Sequence, residues 1–297
     1  MTALQRREAF AGYAYISPWL LGFLIFSLFP FVASLVLSLM DYAIISPPRF
    51  VGINNYATAF VKDELFWPSL GRTAYYAIVS VPLGIIGSLL CALLLNQKLY
   101  GTTVWRTLYF LPSLTPTVAL ALLWKWLLQP DFGLVNYLLG KIGIAGPGWL
   151  GSSNWAIPAL IVMNLWGSVG GGRMIIFLAG LQGVPQELYE AANMDGAGPW
   201  SKFLHVTLPM ISPTMFFNLV MGLIGALATF DVAYVATEGG PNYATWFYTL
   251  HLFNQAFKYL KMGYASALAW VFTIVVVFLT FLQLKASDKW VFYSGAM

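Results

Sequence analysis

Between Ala9 and Met40 the chain carries no charged residue. A run of that length needs an apolar surrounding along all of it, and it exceeds the roughly 20 helical residues that cross a bilayer core. Arg6 and Arg7 precede it. The run is too long for a signal-peptide core and lacks a persuasive small-residue cleavage site, so it reads as a retained anchor. Further apolar stretches with few charges follow at about 73–96, 107–129, 155–180, 209–235 and 263–284, which with about 13–40 makes six expected spans. Pro18, Pro30, Pro82, Pro112, Pro116 and Pro213 fall inside them. Spans tolerate such prolines where neighbours satisfy the freed carbonyls. Charged residues make up only 9% of the 297, against roughly 25% in soluble domains, so a water-compatible surface is excluded. The expected class is an all-α membrane protein with one transmembrane domain, 1–297.

Charge distribution orients the chain weakly. With the N-terminus inside, the inner segments hold Arg6, Arg7, Lys98, Arg106, Lys202, Lys285 and Lys289; the outer loops hold Arg49, Lys62, Arg72, Lys141, Lys258 and Lys261. The inner segments are shorter, so their charge density is higher. The net charge of +4 includes no basic run of nucleic-acid type. Cys91, the single cysteine, lies in an apolar run and can form no intrachain disulfide. Outside the spans, Glu238-Gly239-Gly240-Pro241-Asn242 signals a turn. Beyond it, Trp246 to Tyr259 is expected to form a short amphipathic helix on the outer face.

The most polar organisation lies between the fourth and fifth spans, in 181–208. Pro185 suits a first helical position and Asp195-Gly196 a helix stop. Leu188, Ala191 and Ala192 then share a low-relief apolar face beside an acidic ridge of Glu187 and Glu190. Pro199 starts a second short helix, and Leu208-Pro209 turns the chain into the fifth span. Small residues allow close approach and a carboxylate beside them can pair with a partner's cation, so the segment suits docking better than catalysis. An ordinary amphipathic loop has the same pattern.

Glu190-Ala191-Ala192, Gly196 and then Val206 and Leu208-Pro209 resemble the coupling-loop signature of binding-protein-dependent ABC importer permeases, with Val206 where isoleucine is usual. The stretch Leu178-Ala179-Gly180-Leu181-Gln182-Gly183-Val184-Pro185-Gln186-Glu187-Leu188-Tyr189-Glu190 is similar to the carbohydrate-uptake branch. So are Phe50-Val51-Gly52-Ile53-Asn54-Asn55-Tyr56 and Phe230-Asp231 leading to Gly239-Gly240-Pro241. The likeness spans nearly the whole chain and is nearest the first of the paired permeases in maltose and glycerol-phosphate importers. It implies a type I ABC importer permease fold with six transmembrane helices, both termini cytosolic, in the cell membrane of a prokaryote.

The resemblance also implies an assembly and a mechanism. A second permease, two nucleotide-binding ATPase subunits and an extracytoplasmic solute-binding protein would accompany this chain in the lipid membrane. Glu187, Glu190, Ala191, Ala192, Asp195, Gly196, Leu208 and Pro209 would couple to the ATPase, with Glu190 meeting a basic residue there. No Gly-x-x-x-x-Gly-Lys-Ser/Thr sequence occurs, so ATP and Mg belong to the partner subunits and the chain is a transport subunit rather than an enzyme. Rocking of the spans would alternate access to the two sides.

A sugar would meet aromatic faces and a few hydrogen-bonding groups. The candidates are Asn164, Trp166, Gly170, Arg173, Asn218, Thr229, Phe230, Asp231 and Tyr234, each of which helix packing also explains. Gly170-Gly171-Gly172 suits close helix approach or local unwinding better than a phosphate cradle. Arg173 and Lys125 are the charges within spans. Lys125 is near enough to an interface to snorkel. Arg173 is deeper, and either lines the aqueous path for an anionic solute or pairs with the second permease. His205 and His251 have no metal-ligand company. A secondary transporter would show intramembrane acidic ion ligands and an internal repeat, and neither is found. A permease of the same superfamily for another solute remains an alternative.

Overall fold

A computed structural model describes residues 2–97 and 100–292; the inner-side Lys98 lies outside the described residues. Helix α1 runs Ala3–Ser38, with β1 (Met40–Asp41) and β2 (Arg49–Phe50) paired antiparallel after it. Then follow α2 (Phe66–Leu95), α3 (Thr102–Phe110), α4 (Thr117–Leu127), α5 (Ala156–Ser168), α6 (Gly172–Gln182) and α7 (Gln186–Met194). The chain ends with α8 (Ser212–Leu227), α9 (Asp231–Ala236), α10 (Tyr248–Phe253) and α11 (Met262–Ser287). Among the described residues four helices are individually long and apolar enough to span a membrane: α1, α2, the 25-residue stretch Ser212–Ala236 and α11. Taking each of the bent pairs α3–α4 and α5–α6 as one span brings the number to six.

Several expected boundaries shift for local reasons. α1 begins ten residues before the predicted span because Thr2 and Gln5 form a capping box, the Thr2 hydroxyl accepting from the Gln5 N–H and the Gln5 side chain from the Thr2 N–H. Pro30 cannot donate to the preceding turn, which widens to a π-helical turn at Leu24–Leu28. α2 starts at Phe66 rather than near 73, carrying Arg72 on the helix. The predicted span 107–129 is not one helix. A 3₁₀ turn at Leu111–Leu114 holds Pro112, Thr115 and Pro116 are extended, and α3 and α4 meet at 94°. The fold is all-α as expected, with one ladder of two residues a side, β1–β2, after α1.

Two compact units emerge from the packing. One comprises Met1–Glu64 and Leu252–Ile274. In it Asn55 Nδ2 donates to the carbonyl of Ser38 (2.8 Å), which the end of α1 leaves orphaned, and to that of Met40 (2.9 Å) at the start of β1. The Tyr56 hydroxyl lies 2.7 Å from that of Ser38. The Asn54-Asn55-Tyr56 part of the sequence motif is thus a clamp on a helix end. Gly263 N–H donates to Tyr42 O, and a side chain at 263 would overlap the Met40 carbonyl. Trp270 donates to Ser34 Oγ (3.1 Å) and packs its ring on Phe31.

The other unit comprises Leu65–His251 and Val275–Met297. Its axis is α2, against which α5, α6 and α8 pack. Ala77, Val81, Gly84, Ser88, Ala92 and Leu95 recur at helical spacing on the buried face. α9 packs on α4. Within the segment expected to form a short helix, Trp246–Tyr259, a helix does form at Tyr248–Phe253 with a π-helical turn at Asn254–Lys258, and its beginning is packed into this unit: Trp246, Phe247, Tyr248, Leu250 and His251 are all buried. Tyr248 N–H donates to Thr73 Oγ1 (2.9 Å), and Trp246 donates its indole N–H to His251 Nδ1 (3.0 Å). An apolar helical face is the same whether lipid or protein covers it, so periodicity could not tell the two apart.

Candidate functional site

The loop between α6 and α8 is built by capping rather than by burial. Pro185 is extended and occupies the position before α7, one residue earlier than its expected place. At the far end Gly196 has φ +75°. Its N–H bonds to Asn193 O (3.0 Å), and Ala197 N–H to Ala192 O (2.9 Å), the paired closure of a Schellman motif. Pro199 opens the second short helix as expected. No residue of α7 is buried. Glu187, Glu190 and Ala191 are exposed, with Met194 89% exposed beside them. Among the described residues the two carboxylates make no hydrogen bond or ion pair.

Contacts that the sequence did not reveal hold this helix against the returning chain. Tyr189 OH lies 2.9 Å from Thr207 Oγ1, and Lys202 Nζ donates to Asn193 Oδ1 at 2.8 Å. Because Pro209 lacks an N–H, the turn before it is π-helical, Phe203–Thr207. Leu208 and Pro209 follow, half-buried, at the foot of α8. A small cavity of about 230 Å³ lies among Leu188, His205, Val206, Pro209, Met210 and Phe292. Phe292 N–H donates to Ser212 Oγ (2.8 Å), and Trp290 meets Phe216 edge to face. Tyr189 stands within the motif itself. Nothing in the sequence signals Trp290 or Phe292, far along the chain.

The fourth span is broken at residues 169–171, where α5 and α6 meet at 51°. Both readings of the glycines hold. A Cβ at Gly170 would overlap the Tyr109 carbonyl oxygen, and one at Gly171 would sit 2.9 Å from Ser113 Cβ, so the break seats the chain after α3. Two cavities flank it. An apolar one of about 520 Å³ is lined by Trp105, Tyr109, Trp124, Leu165, Trp166 and Gly170. Trp124 and Trp166 stand edge to face there, centroids 6.1 Å apart. A smaller one, about 210 Å³, has Ser113, Thr115, Thr117, Asn164 and Ser168 along its wall with Val232 of α9.

The pathway candidates therefore separate. Asn164 lines the polar cleft, while Trp166 and Gly170 line the aromatic cavity. Asn218 is buried and donates to Thr214 O (2.9 Å). Thr229 and Phe230 form the break before α9; the Thr229 carbonyl accepts from Thr249, and Phe230 stacks on Tyr234 at 5.2 Å. Asp231 opens α9 with its side chain exposed, next to Val232 of the cleft. Arg173 lies in neither cavity: its guanidinium is set between α2 and α8, at Gly84 and Gly222. Lys125 is exposed in the last turn of α4, as snorkelling requires. Sequence reading missed Trp105, just before the expected third span, and Trp124 and the hydroxyls of 113–117 within it.

The family described as "Binding-protein-dependent transport system inner membrane component" matches residues 80–293. The probable ABC transporter permease protein YesP of Bacillus subtilis is 41% identical over 294 residues, 98% of this chain and 94% of that one. The trehalose/maltose transport system permease protein MalF of Thermococcus litoralis is 35% identical over 283 residues, 95% of each. Among solved structures, a bacterial ABC transporter involved in the import of the acidic polysaccharide alginate is 25% identical, with a TM-score of 0.84 over 95% of this chain and 96% of that one. With these full-length likenesses and the type I permease fold they share, the chain belongs to the multi-pass inner-membrane permeases of binding-protein-dependent ABC transport systems.

Proposed function

We propose that this chain is the membrane-spanning subunit of an ATP-driven sugar importer, lining half of the translocation path and driven by a cytosolic ATPase. The observation that carries this reading is α7, a helix fixed at both ends yet without a buried residue. A segment ordered by its own caps and presenting Glu187, Glu190, Ala191 and Met194 outward is suited to a partner's surface. Glu190 pairs with a cation of the nucleotide-binding subunit; Ala191 and Ala192 let the two backbones approach, and Asp195, Gly196, Leu208 and Pro209 shape the loop. That face is cytosolic, which puts the N-terminus inside. Mg and ATP reside on two ATPase subunits, a second permease completes the path, and an extracytoplasmic binding protein delivers the solute.

A sugar cargo agrees with the trehalose/maltose relative and with the two cavities. Trp124 and Trp166 offer faces on which pyranose rings stack, and Asn164 with Ser168 offers polar contacts. Alternating access moves the walls of these cavities.

Purification of the complete assembly from membranes tests the coupling. Glu190→Lys is expected to weaken retention of the ATPase subunit about tenfold or more, the scale of a lost charge-assisted contact. Unchanged retention would remove Glu190 from the interface. Solute uptake by this chain alone would sink the importer reading.

A further inference from the structure

The loop between α4 and α5 holds a short helix, Leu134–Lys141, whose polarity runs opposite to that of a helix meeting water. Its asparagine is turned inward. Asn136 Nδ2 donates to the carbonyls of Pro130 and Pro147 (3.2 Å each), and Oδ1 accepts from the Trp149 indole (2.7 Å). Leu134, Tyr137, Leu138 and Lys141, at i, i+3, i+4 and i+7, are all exposed and share the outward face. A helix on a water-facing surface buries such a stripe and exposes its amides.

The chain holds this face where the spans leave the membrane. α4 ends at Leu127, with Lys125 and Trp126 exposed in its last turn. A side chain at Gly133 would overlap the Gln129 carbonyl oxygen and come within 2.6 Å of that of Leu127, so the helix starts directly at the end of α4. On the other side Trp149, bonded to Asn136, meets Trp155 edge to face, and α5 begins at the next residue. Pinned between the ends of two spans, eight helical residues of about 12 Å have no reach into bulk water.

Composition decides what covers the stripe. From Phe132 to Trp155 the loop has no acidic residue and one basic residue, Lys141. Lys141 Nζ lies 5.2 Å from the centre of the Tyr137 ring. A tyrosine and a lysine beside leucines suit the boundary between headgroups and acyl chains, the ring at the interface and the ammonium at the phosphates. The helix is also reached directly from α4, whose exposed Leu122, Leu123 and Trp126 are apolar. We propose that Leu134–Lys141 lies in the lipid interface as a membrane anchor. Leu134, Tyr137 and Leu138 dip among the acyl chains, and Lys141 meets phospholipid phosphate. The anchor holds the block from α4 to α5, which is bounded by the breaks at 111–116 and 169–171. Both bent spans then flex against a part that lipid keeps in place.

The test uses the complete transporter in proteoliposomes, on a Cys91→Ser background. A nitroxide is placed on Leu134→Cys or Leu138→Cys of the stripe, or on Gly140→Cys, off the stripe, where a side chain meets open space. Power saturation with oxygen and with a nickel chelate reads the surroundings of each label. The stripe labels are expected to favour oxygen, at about 5–10 Å into the headgroup boundary, and the Gly140 label to favour the chelate. Binding protein loaded with sugar is expected to leave all three unchanged. Stripe labels as open to the chelate as the Gly140 label put the face in water and overturn the proposal. Shielding from both reagents overturns it as well: at rest it assigns the face to the second permease, and only after addition of binding protein to that protein. Leu134 and Leu138 report independently, so a helix disturbed by one label is still read by the other.

Discussion

The break at residues 169–171 and the exposed helix α7 lie close together in the chain but are ordered by opposite means. At the break, neighbouring atoms fill the space: the Tyr109 carbonyl presses on Gly170 and Ser113 on Gly171, and neither leaves room for a side chain. Along α7 nothing presses, and shape comes from Pro185, from the left-handed Gly196 and from two side-chain hydrogen bonds. Substitutions at the first region are therefore stability experiments, whereas those on the outward face of the second are association experiments.

Four variants, taken in order of their cost to the fold, test that division by the melting of the purified assembly in detergent. Gly170→Val drives a branched side chain into a backbone carbonyl and is expected to cost about 3 kcal/mol, the upper range of overpacking. A wild-type melting curve would mean the break is not packed as described. Gly196→Val places a branched residue at φ +75°, with an expected cost of about 1–2 kcal/mol and a frayed end of α7. Tyr189→Phe deletes the bond to Thr207 and is expected to cost about 1 kcal/mol. Glu190→Lys should change melting by less than about 0.5 kcal/mol, because the side chain is exposed and without a partner among the described residues. A large destabilisation by Glu190→Lys would erase the distinction between the two regions.

What could be read from the sequence follows the same division. The caps of α7 were legible because turn and cap chemistry is local: Pro185, Gly196, Pro199 and Pro209 act within a few residues of themselves. The unwinding near Gly170 and Gly171 was legible as well, but its cause was not, since Tyr109 and Ser113 belong to another span. The right-angle turn at Pro112 and Pro116 was concealed by hydropathy, which counts apolar residues without regard to direction. The asparagine clamp at Asn55 and the latch of Phe292 on Ser212 join distant segments, and no local pattern encodes them. Burial of Trp246–His251 escaped for a different reason: in a chain this apolar, a face meant for protein and a face meant for lipid have the same composition.

The Schellman closure at Gly196 has a mechanical meaning. The nine residues of α7 extend roughly 13 Å at the helical rise. With a proline at its entry and a left-handed glycine at its exit, the helix has no loose turn to wind or unwind under load. A force on its outer face therefore passes along a rod of constant length into the foot of α8, through Tyr189, Thr207 and the residues about Pro209, instead of being dissipated in fraying ends.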